Sequence, residues 1–303
     1  MREARFQSVI AVAMALNLGL VSGTAGAASP VIGTVVARGA FRMDNATVTG
    51  NATLFEGATI ETATTGSALE LTSGARVTLG TTTKGRVFGD RIVLERGKSR
   101  LDKAEGFRVE ARGLLIQPET GNSTGRVELA GATRVEVAAL TGTFRVLNSR
   151  GMVVARIATG STLAFEPQSI NRPTHLTGRV VNRGGHYLLT DETTNVTVEV
   201  AGPNLDKVAG KRVELTGTLD PTATPVSDAS QFIRVASVKP LPGAATAAGA
   251  GGTAGGTAGG AVGGLAVSGT AIAVIGGVAA AAVVGGLAAA GSLGNETPAT
   301  VSR

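Results

Sequence analysis

Cysteine and tryptophan are absent from the sequence, and only two histidines and one tyrosine occur among its 303 residues. Without cysteine the chain has no disulfide bond, no thiolate zinc site and no cysteine nucleophile. The histidines, His175 and His186, stand alone with no carboxylate or second imidazole at ligand spacing, so they do not predict a metal centre. The sequence therefore predicts neither a metal nor a cofactor.

Catalytic motifs are equally scarce. No Gly-x-Ser-x-Gly elbow and no Ser-x-x-Lys motif stands at a strand-to-helix turn, which is where such nucleophiles act. Asp191 and Glu192 are adjacent in a turn-like segment and are expected to be a solvated pair. Because acid–base catalysis needs several convergent groups, we expect no catalytic residues and no enzyme activity.

Positive charge is the one functional feature that stands out, with a formal net charge of +6. Between Lys84 and Arg112 there are nine cations against five anions. A basic strip there predicts contact with an anionic glycan, with lipid head groups or with an acidic protein. The alternative is a solvent-exposed face of mixed charge. The candidate strip consists of Arg86, Arg91, Arg96, Lys98, Arg100 and Lys103.

The N-terminal residues 1–27 have the layout of a secretory signal peptide. Arg2 and Arg5 precede an apolar stretch, and Ala25 and Ala27 form a small-x-small cleavage site. The mature chain is expected to begin at Ala28, which predicts export to the periplasm or cell envelope. An uncleaved membrane anchor is the alternative.

The C-terminal part has a different composition from the rest of the chain. Residues 241–264 are nearly all Gly, Ala and Thr, as in flexible linkers. Residues 265–291 carry no charge and are long enough to cross a bilayer, which predicts a transmembrane helix followed by a polar tail, 292–303. Small residues at four-residue spacings predict helix packing and self-association, and a low-complexity tail is the alternative. These small residues are Gly264, Ser268, Gly276 and Ala280.

Between the two ends, short stretches of alternating apolar residues are interrupted every few residues by Gly, Asn or Ser. This pattern predicts an all-β sandwich, barrel or roll over residues 28–170. The predicted strands are 32–36, 47–48, 68–71, 76–79, 91–94, 107–111, 126–129, 135–137, 144–147 and 153–158.

The stretches "GATIETATTGSALELTSGARVTLGTTT", "DRIVLERGKSRL" and "LTGTFRVLNSRGMVVARIATGSTLAF" resemble the FecR domain of iron-dicitrate sensor proteins. Phe144 follows Thr143 directly, one residue earlier than in the family pattern. The resemblance runs from about Val31 to Phe165 and rests on turns and apolar positions. The matching positions are Gly57, Ile60, Thr62, Leu69, Leu71, Gly74, Val77, Leu79, Val93, Leu94, Gly97, Phe107, Val109, Gly142, Thr143, Phe144 and Val146.

The resemblance implies a periplasmic β module that passes on signals through protein contact. In the sensors, an anti-sigma segment and a transmembrane helix precede this module, whereas a signal peptide is expected here. The implied role is therefore that of an envelope interaction domain.

A second unit, residues 171–240, looks like a small OB-type barrel of the bacterial envelope. Five strands with a connecting segment between the third and fourth predict this fold. Tyr187 and Phe232 alternate like core residues, so no nucleic-acid stacking platform is expected. The matching positions are Leu176, Gly178, Val180, Tyr187, Leu189, Asp191, Val198, Val200, Leu205, Gly210, Val213, Leu215, Gly217, Phe232, Ile233 and Val235.

Together these features predict a non-enzymatic, membrane-tethered envelope protein that binds a protein or an anionic envelope polymer through exposed strand faces and edges. One alternative is a signalling regulator that acts on a transmembrane partner. The other is a glycan-modifying enzyme.

Overall fold

The computed structural model describes residues 29–167, 173–226, 228–242, 272–275 and 278–283. Within these ranges the regular structure is β-strand apart from one short helix, which confirms the predicted all-β class. The first strands are β1 (Val31–Ala37), β2 (Ala40–Met43), β3 (Ala46–Thr49), β4 (Ala52–Phe55), β5 (Thr59–Thr62), β6 (Ser67–Leu71), β7 (Arg76–Leu79), β8 (Lys84–Val87) and β9 (Arg91–Arg96). They are followed by β10 (Lys98–Asp102), β11 (Arg108–Ala111), β12 (Leu114–Pro118), β13 (Thr124–Ala130), β14 (Arg134–Thr141), β15 (Phe144–Leu147), β16 (Val153–Ile157) and β17 (Thr162–Pro167).

The remaining elements belong to a second body and to the C-terminal segment. They are β18 (Thr174–Arg183), β19 (His186–Asp191), β20 (Thr197–Ala201), α1 (Leu205–Val208), β21 (Arg212–Leu219), β22 (Phe232–Pro240), β23 (Ile272–Ile275) and β24 (Val278–Ala282).

The first seventeen strands form two sheets that share one hydrophobic core. Alternate residues of each strand point inward, as the pattern buried–exposed–buried of β6 shows. Fully buried Phe107, Phe144 and Phe165 are the largest side chains of this core. The strand orders are β23-β24-β17-β14-β13-β10-β7-β6-β1-β4 in the ten-stranded sheet and β16-β15-β12-β11-β9-β8-β5-β2-β3 in the nine-stranded sheet.

The chain passes repeatedly from one sheet to the other, and tight turns make this possible. Gly97 joins β9 of the nine-stranded sheet to β10 of the ten-stranded sheet with a φ of +85°. A Cβ atom at this position would lie 2.4 Å from the Thr83 hydroxyl oxygen. Both the left-handed backbone and the close approach therefore require glycine here.

The second body is a closed five-stranded barrel with the strand order β18-β19-β20-β22-β21 and a hydrophobic core of its own. Strand β20 runs parallel to β22, whereas the other neighbours are antiparallel. The helix α1 lies between the third and fourth barrel strands and buries Leu205 and Val208. A connecting segment was expected at this place.

The barrel covers the edge strand of the nine-stranded sheet. The Arg156 N–H donates to the Thr194 carbonyl oxygen at 2.7 Å, and the Gln231 side-chain amide donates to the Val153 carbonyl oxygen at 2.8 Å. Val153 also packs against the barrel core. These contacts satisfy backbone groups that an edge strand otherwise leaves open.

Two strands lie inside the segment 265–291, for which a transmembrane helix was expected. Strands β23 and β24 form an antiparallel pair, and β24 pairs with β17, so the ten-stranded sheet is extended. No helix in the described part of the chain is both long enough and apolar enough to span a bilayer. The β-branched Val and Ile residues of these stretches favour strand pairing once β17 offers an edge.

Candidate functional site

The six residues of the predicted basic strip do not share one surface. Arg86, Arg91 and Arg96 lie on strands β8 and β9 of the nine-stranded sheet. Lys98 and Arg100 lie on β10 of the ten-stranded sheet, on the other side of the Gly97 crossover, and Lys103 follows that strand. Residues close in sequence are thus divided between the two outer faces.

The outer faces of the two sheets differ in charge. The strands of the ten-stranded sheet carry five cations and five anions, namely Arg76, Lys98, Arg100, Arg126 and Arg134 against Glu70, Asp102, Glu128, Glu136 and Glu166. The strands of the nine-stranded sheet carry eight cations and three anions, namely Arg42, Lys84, Arg86, Arg91, Arg96, Arg108, Arg145 and Arg156 against Glu61, Glu95 and Glu110. Among strand residues, the surplus of positive charge therefore lies on the nine-stranded sheet, and the loop residues Asp90 and Glu119 offset part of it.

Four of these cations form a line across the nine-stranded sheet, which we call the arginine row: Arg91, Arg108, Arg145 and Arg156. Strand register places Arg91 beside Arg108 and Arg145 beside Arg156, while Gln117 stands beside Arg145 in the middle of the row. The row crosses strands β9, β11, β12, β15 and β16, so it is about 19 Å long at roughly 4.8 Å per strand.

Carboxylates at the margins of the sheet hold the arginine side chains in place. Asp90 pairs with Arg91 and Arg108, and Glu119 lies 3.4 Å from Arg156 and 4.0 Å from Arg145. Burial acts to raise the pKa of Asp90, but the hydrogen bond and charge of Arg108 and the charge of Arg91 lower it overall. The guanidinium groups are thus ordered while they remain partly exposed.

Neighbouring side chains order the row further. The Arg91 guanidinium lies 4.3 Å from the centre of the Phe88 ring, a cation–π contact. With the Gln117 amide turned so that its oxygen faces Arg145, that oxygen accepts from Arg145 Nε at 3.1 Å and from Nη2 at 2.7 Å. Planar guanidinium groups in fixed positions bind carboxylate or phosphate through two parallel hydrogen bonds. An extended anion that contacts the row would share its guanidinium groups with Asp90, Glu110 and Glu119, which already pair with them.

A polar cavity of about 550 Å³ opens where three turns of the first body converge. Lys103, the last residue of the predicted strip, lines it together with Glu105, Thr120 and Asn122. The turn between β12 and β13, which supplies Thr120 and Asn122, also contains the sequence Gly121-x-Ser123-x-Gly125. This turn joins two strands and not a strand and a helix, and the buried Ser123 hydroxyl lies 2.9 Å from that of Thr120. No group of three or more His, Asp or Glu side chains suited to a metal occurs in the described ranges.

In the barrel, His186 is not isolated as the sequence suggested. Its Nδ1 lies 2.7 Å from Glu199 Oε1, and Glu199 Oε2 accepts the Val226 N–H at 2.8 Å. Burial acts to raise the pKa of Glu199, but the hydrogen bonds from His186 and Val226 and the charge of His186 lower it overall. Glu199 thus ties the long β21–β22 connection to strand β19. His186 and Glu199 are 13 residues apart, so only the strand pairing brings them together.

The expectation of a solvated Asp191–Glu192 pair is wrong for Asp191. This side chain is 1% exposed and accepts from the backbone N–H groups of Thr177, Thr193 and Thr194 and from the Thr194 hydroxyl. Burial raises the pKa of Asp191, and these four hydrogen bonds act against that change. Glu192 is exposed and forms a two-pronged pair with Arg212.

Several of the other sequence-predicted residues lie outside the described residues. These are Ala25 and Ala27 of the cleavage site and Gly264, Ser268 and Gly276 of the predicted helix face. Ala280, the fourth residue of that face, lies in strand β24, where it is buried and paired with Phe165.

No family model and no curated protein matches this chain. Two solved structures from Parabacteroides distasonis ATCC 8503, described as a "putative anti-sigma factor", are similar over part of it, each at 17% identity and a TM-score of 0.30. One alignment covers 36% of this chain and 54% of that chain, and the other covers 35% and 53%. The chain spans about half the length of these structures, and a likeness this low carries no argument about function.

Proposed function

We propose that this chain is an exported, non-enzymatic binding protein of the cell envelope whose ligand is an anionic glycan held on the arginine row. The observation that carries the proposal is the arginine row, four guanidinium groups in register across neighbouring strands. The strands of its sheet carry eight cations against three anions, compared with five against five in the other sheet. An extended polymer with carboxylates along its length matches a row of guanidinium groups that crosses neighbouring strands.

The proposal also assigns each of the two bodies to a fold family. The FecR-like pattern of turns and apolar positions supports a FecR-type first body. A closed five-stranded barrel with a helix between its third and fourth strands supports an OB-like second body. Export is supported by the signal-peptide pattern, and N-terminal sequencing of the mature protein is expected to begin at Ala28. A mature chain that begins at Met1 would contradict export by this route.

Binding of the full chain to polygalacturonate, a polymer of uronic acid, tests the ligand. The double variant Arg108→Ala/Arg145→Ala is expected to weaken binding at least roughly tenfold. The reason is that each lost hydrogen bond between an arginine and a carboxylate of the polymer contributes about 1.5–3 kcal/mol. The matched control is Arg100→Ala/Arg134→Ala on the ten-stranded sheet, which removes the same charge from the balanced face.

If both double variants lose affinity for polygalacturonate equally, the attraction is non-specific and the proposed site is wrong. A third arm uses vesicles that contain an anionic phospholipid. If the chain binds the vesicles and does not bind polygalacturonate, its ligand is a lipid head group and not a glycan.

A second candidate, a signalling role, is supported by the position of Arg156. Its guanidinium belongs to the arginine row and pairs with Glu119, while its backbone N–H bonds the barrel at Thr194. An anion bound at Arg156 is therefore expected to affect the contact between Arg156 and Thr194. Hydrogen exchange of the Arg156 amide, which donates to Thr194, is expected to slow when the polyanion binds, and unchanged exchange there would count against a signalling role.

A further inference from the structure

Strands β3 and β4 form an open end of the two sheets. In the described part of the chain, β4 pairs with β1 alone and β3 pairs with β2 alone. Only Gly50 and Asn51 separate the two strands in sequence, so both outer edges lie at the same end of the first body. We call residues 46–55 the open end.

The opposite end of each sheet is covered by the same chain. Strand β16 is bonded by the barrel at Val153 and Arg156, and β17 is paired with β24. Strand β23, which extends that sheet, lies against β18 of the barrel. Within the described ranges, the chain thus covers one end of both sheets and pairs no strand with the outer edges of β3 and β4 at the other end.

The open end lacks the usual chemical protection of edge strands. Residues 46–55 contain no charged residue and no proline, the two features that most often prevent edge-to-edge pairing. Moreover, three of the four exposed large hydrophobic side chains in the described ranges lie on β1 and β4, namely Val31 (55% exposed), Val36 (40%) and Phe55 (40%). Val31 and Phe55 are direct cross-strand neighbours.

We propose that the open end binds a second copy of this chain by antiparallel pairing of β4 with β4 of the other copy. Two copies of an uncharged edge strand can pair around a two-fold axis, because no like charges are brought together. Side chains directly opposite one another must point to the same face, and the proposed register meets this condition by placing the fully buried Leu54 opposite Leu54 of the other copy. Thr53 then lies opposite Phe55, a β-branched residue beside an aromatic one on the outer face.

A two-fold axis perpendicular to the sheets also brings the two β3 strands together. The dimer would then join each sheet to its copy and place the Val31–Phe55 patch of both copies at the seam. With four residues in each edge strand, the contact is small, and its affinity is expected to be in the weak, concentration-dependent class.

Sedimentation equilibrium of the full chain tests this proposal. The wild-type chain is expected to dimerise with increasing concentration. Thr53→Lys places two like charges across the two-fold axis and is expected to weaken the dimer at least roughly tenfold, that is by about 1.4 kcal/mol. The matched control is Thr64→Lys, which adds the same charge to an exposed position in the β5–β6 turn.

A second variant, Thr49→Lys, places the charge on β3 and is expected to weaken the dimer as well. Far-UV circular dichroism and thermal unfolding of both variants establish that the monomer remains folded. A wild-type chain that stays monomeric at its highest soluble concentration would overturn the proposal. So would a dimer whose affinity is the same in Thr53→Lys and Thr49→Lys as in the wild type, since its contact would then lie elsewhere.

Discussion

The first body, a sandwich formed by the two sheets of strands β1–β17, and the second body, the five-stranded barrel, are stabilised in different ways. The sandwich core is a continuous set of apolar side chains contributed by both sheets. The barrel has a smaller apolar core, and the only buried carboxylates of the described residues, Asp191 (1% exposed) and Glu199 (6%), belong to it. Buried carboxylates are tolerated only when they are hydrogen-bonded, so the barrel depends on the hydrogen bonds that these two carboxylates accept. The sandwich also buries hydrogen-bonded polar side chains such as Thr62, but no carboxylate among the described residues.

This difference suggests that the two bodies respond to different mutations. The single tyrosine of the chain, Tyr187, packs against the barrel core, and there is no tryptophan. Tyrosine fluorescence therefore reports the barrel, while far-UV circular dichroism reports the strands of both bodies. Comparing the two signals during urea unfolding separates effects on the sandwich from effects on the barrel.

The largest effect is expected for Phe144→Ala in the sandwich. The ring is 1% exposed, and its removal leaves a cavity beside Gly125, where a Cβ atom would lie 2.5 Å from the ring. The expected loss is about 3–5 kcal/mol in the free energy of unfolding. It should appear in the circular dichroism transition and leave the tyrosine transition nearly unchanged.

Leu147→Ala is the control for this change, because Leu147 lies on the same strand but on the outer face. Its expected effect is well below that of Phe144→Ala. If Phe144→Ala shifts both signals equally, the two bodies unfold as one cooperative unit and the proposed separation is wrong.

The next largest effect is expected for Asp191→Ala in the barrel. This change removes the acceptor of three N–H groups, of which that of Thr194 is buried and those of Thr177 and Thr193 are partly buried, and of the buried Thr194 hydroxyl. The expected loss is about 2–3 kcal/mol, seen in the tyrosine transition. Asp206→Ala, which removes an exposed carboxylate of the same barrel, is the control and should change stability by no more than about 0.5 kcal/mol. Similar losses in both variants would show that buried hydrogen bonds are not what distinguishes the barrel.

Apolar alternation and turn residues predicted the five strands of the barrel, but only ten of the seventeen strands of the sandwich. Strands 76–79 and 144–147 have the predicted bounds because apolar residues occupy every inward position. Seven strands were missed, namely β2, β4, β5, β8, β10, β12 and β17. Four of them, β2, β4, β12 and β17, have apolar inward positions but are short or lie close to another strand in sequence. In β5, β8 and β10 the reason is that Thr62, Gly85 and Ser99 occupy inward positions and hide the two-residue period. Small polar residues in a core carry no apolar signal.

The candidate site was only partly predictable for a similar reason. The high density of cations between Lys84 and Arg112 led to Arg91, which is the only residue of the predicted strip in the arginine row. Arg108 lies in the same cation-rich segment but was not part of the predicted strip. Arg145 and Arg156 lie on strands 37 and 48 residues further along than Arg108. Their position in the same row follows from sheet order, which places β15 and β16 beside β12. The Gly97 crossover, in turn, separates Lys98 and Arg100 from the row, although they are close to it in sequence.

A smaller, pH-dependent effect is expected for Glu199→Gln. Because the pKa of Glu199 is lowered in the folded barrel, its carboxylate stabilises the fold above its ordinary pKa of 4.5, and this contribution is lost as the pH falls through the lowered value. At pH 7 the variant should lose about 1–2 kcal/mol, because a charged acceptor is replaced by a neutral one. Below pH 4.5 the difference from the wild type should shrink. The measurement is urea unfolding by tyrosine fluorescence at several pH values, and a difference that is constant with pH would show that the carboxylate charge is unimportant.

The smallest effect is expected for Arg212→Ala, which breaks an ion pair at the barrel surface. Arg212 Nε and Nη2 donate to the two oxygens of Glu192, and this hydrogen bond and its charge raise the pKa of Arg212. Both side chains remain partly exposed, so solvent screens the pair, and the expected loss is about 0.2–1 kcal/mol, decreasing in high salt. Glu192→Ala should give the same loss, and the double variant should show no further loss from the pair. A loss of stability as large as that of Asp191→Ala would mean that surface ion pairs stabilise the barrel as strongly as its buried carboxylates. That result would contradict the conclusion that the barrel depends mainly on its buried polar contacts.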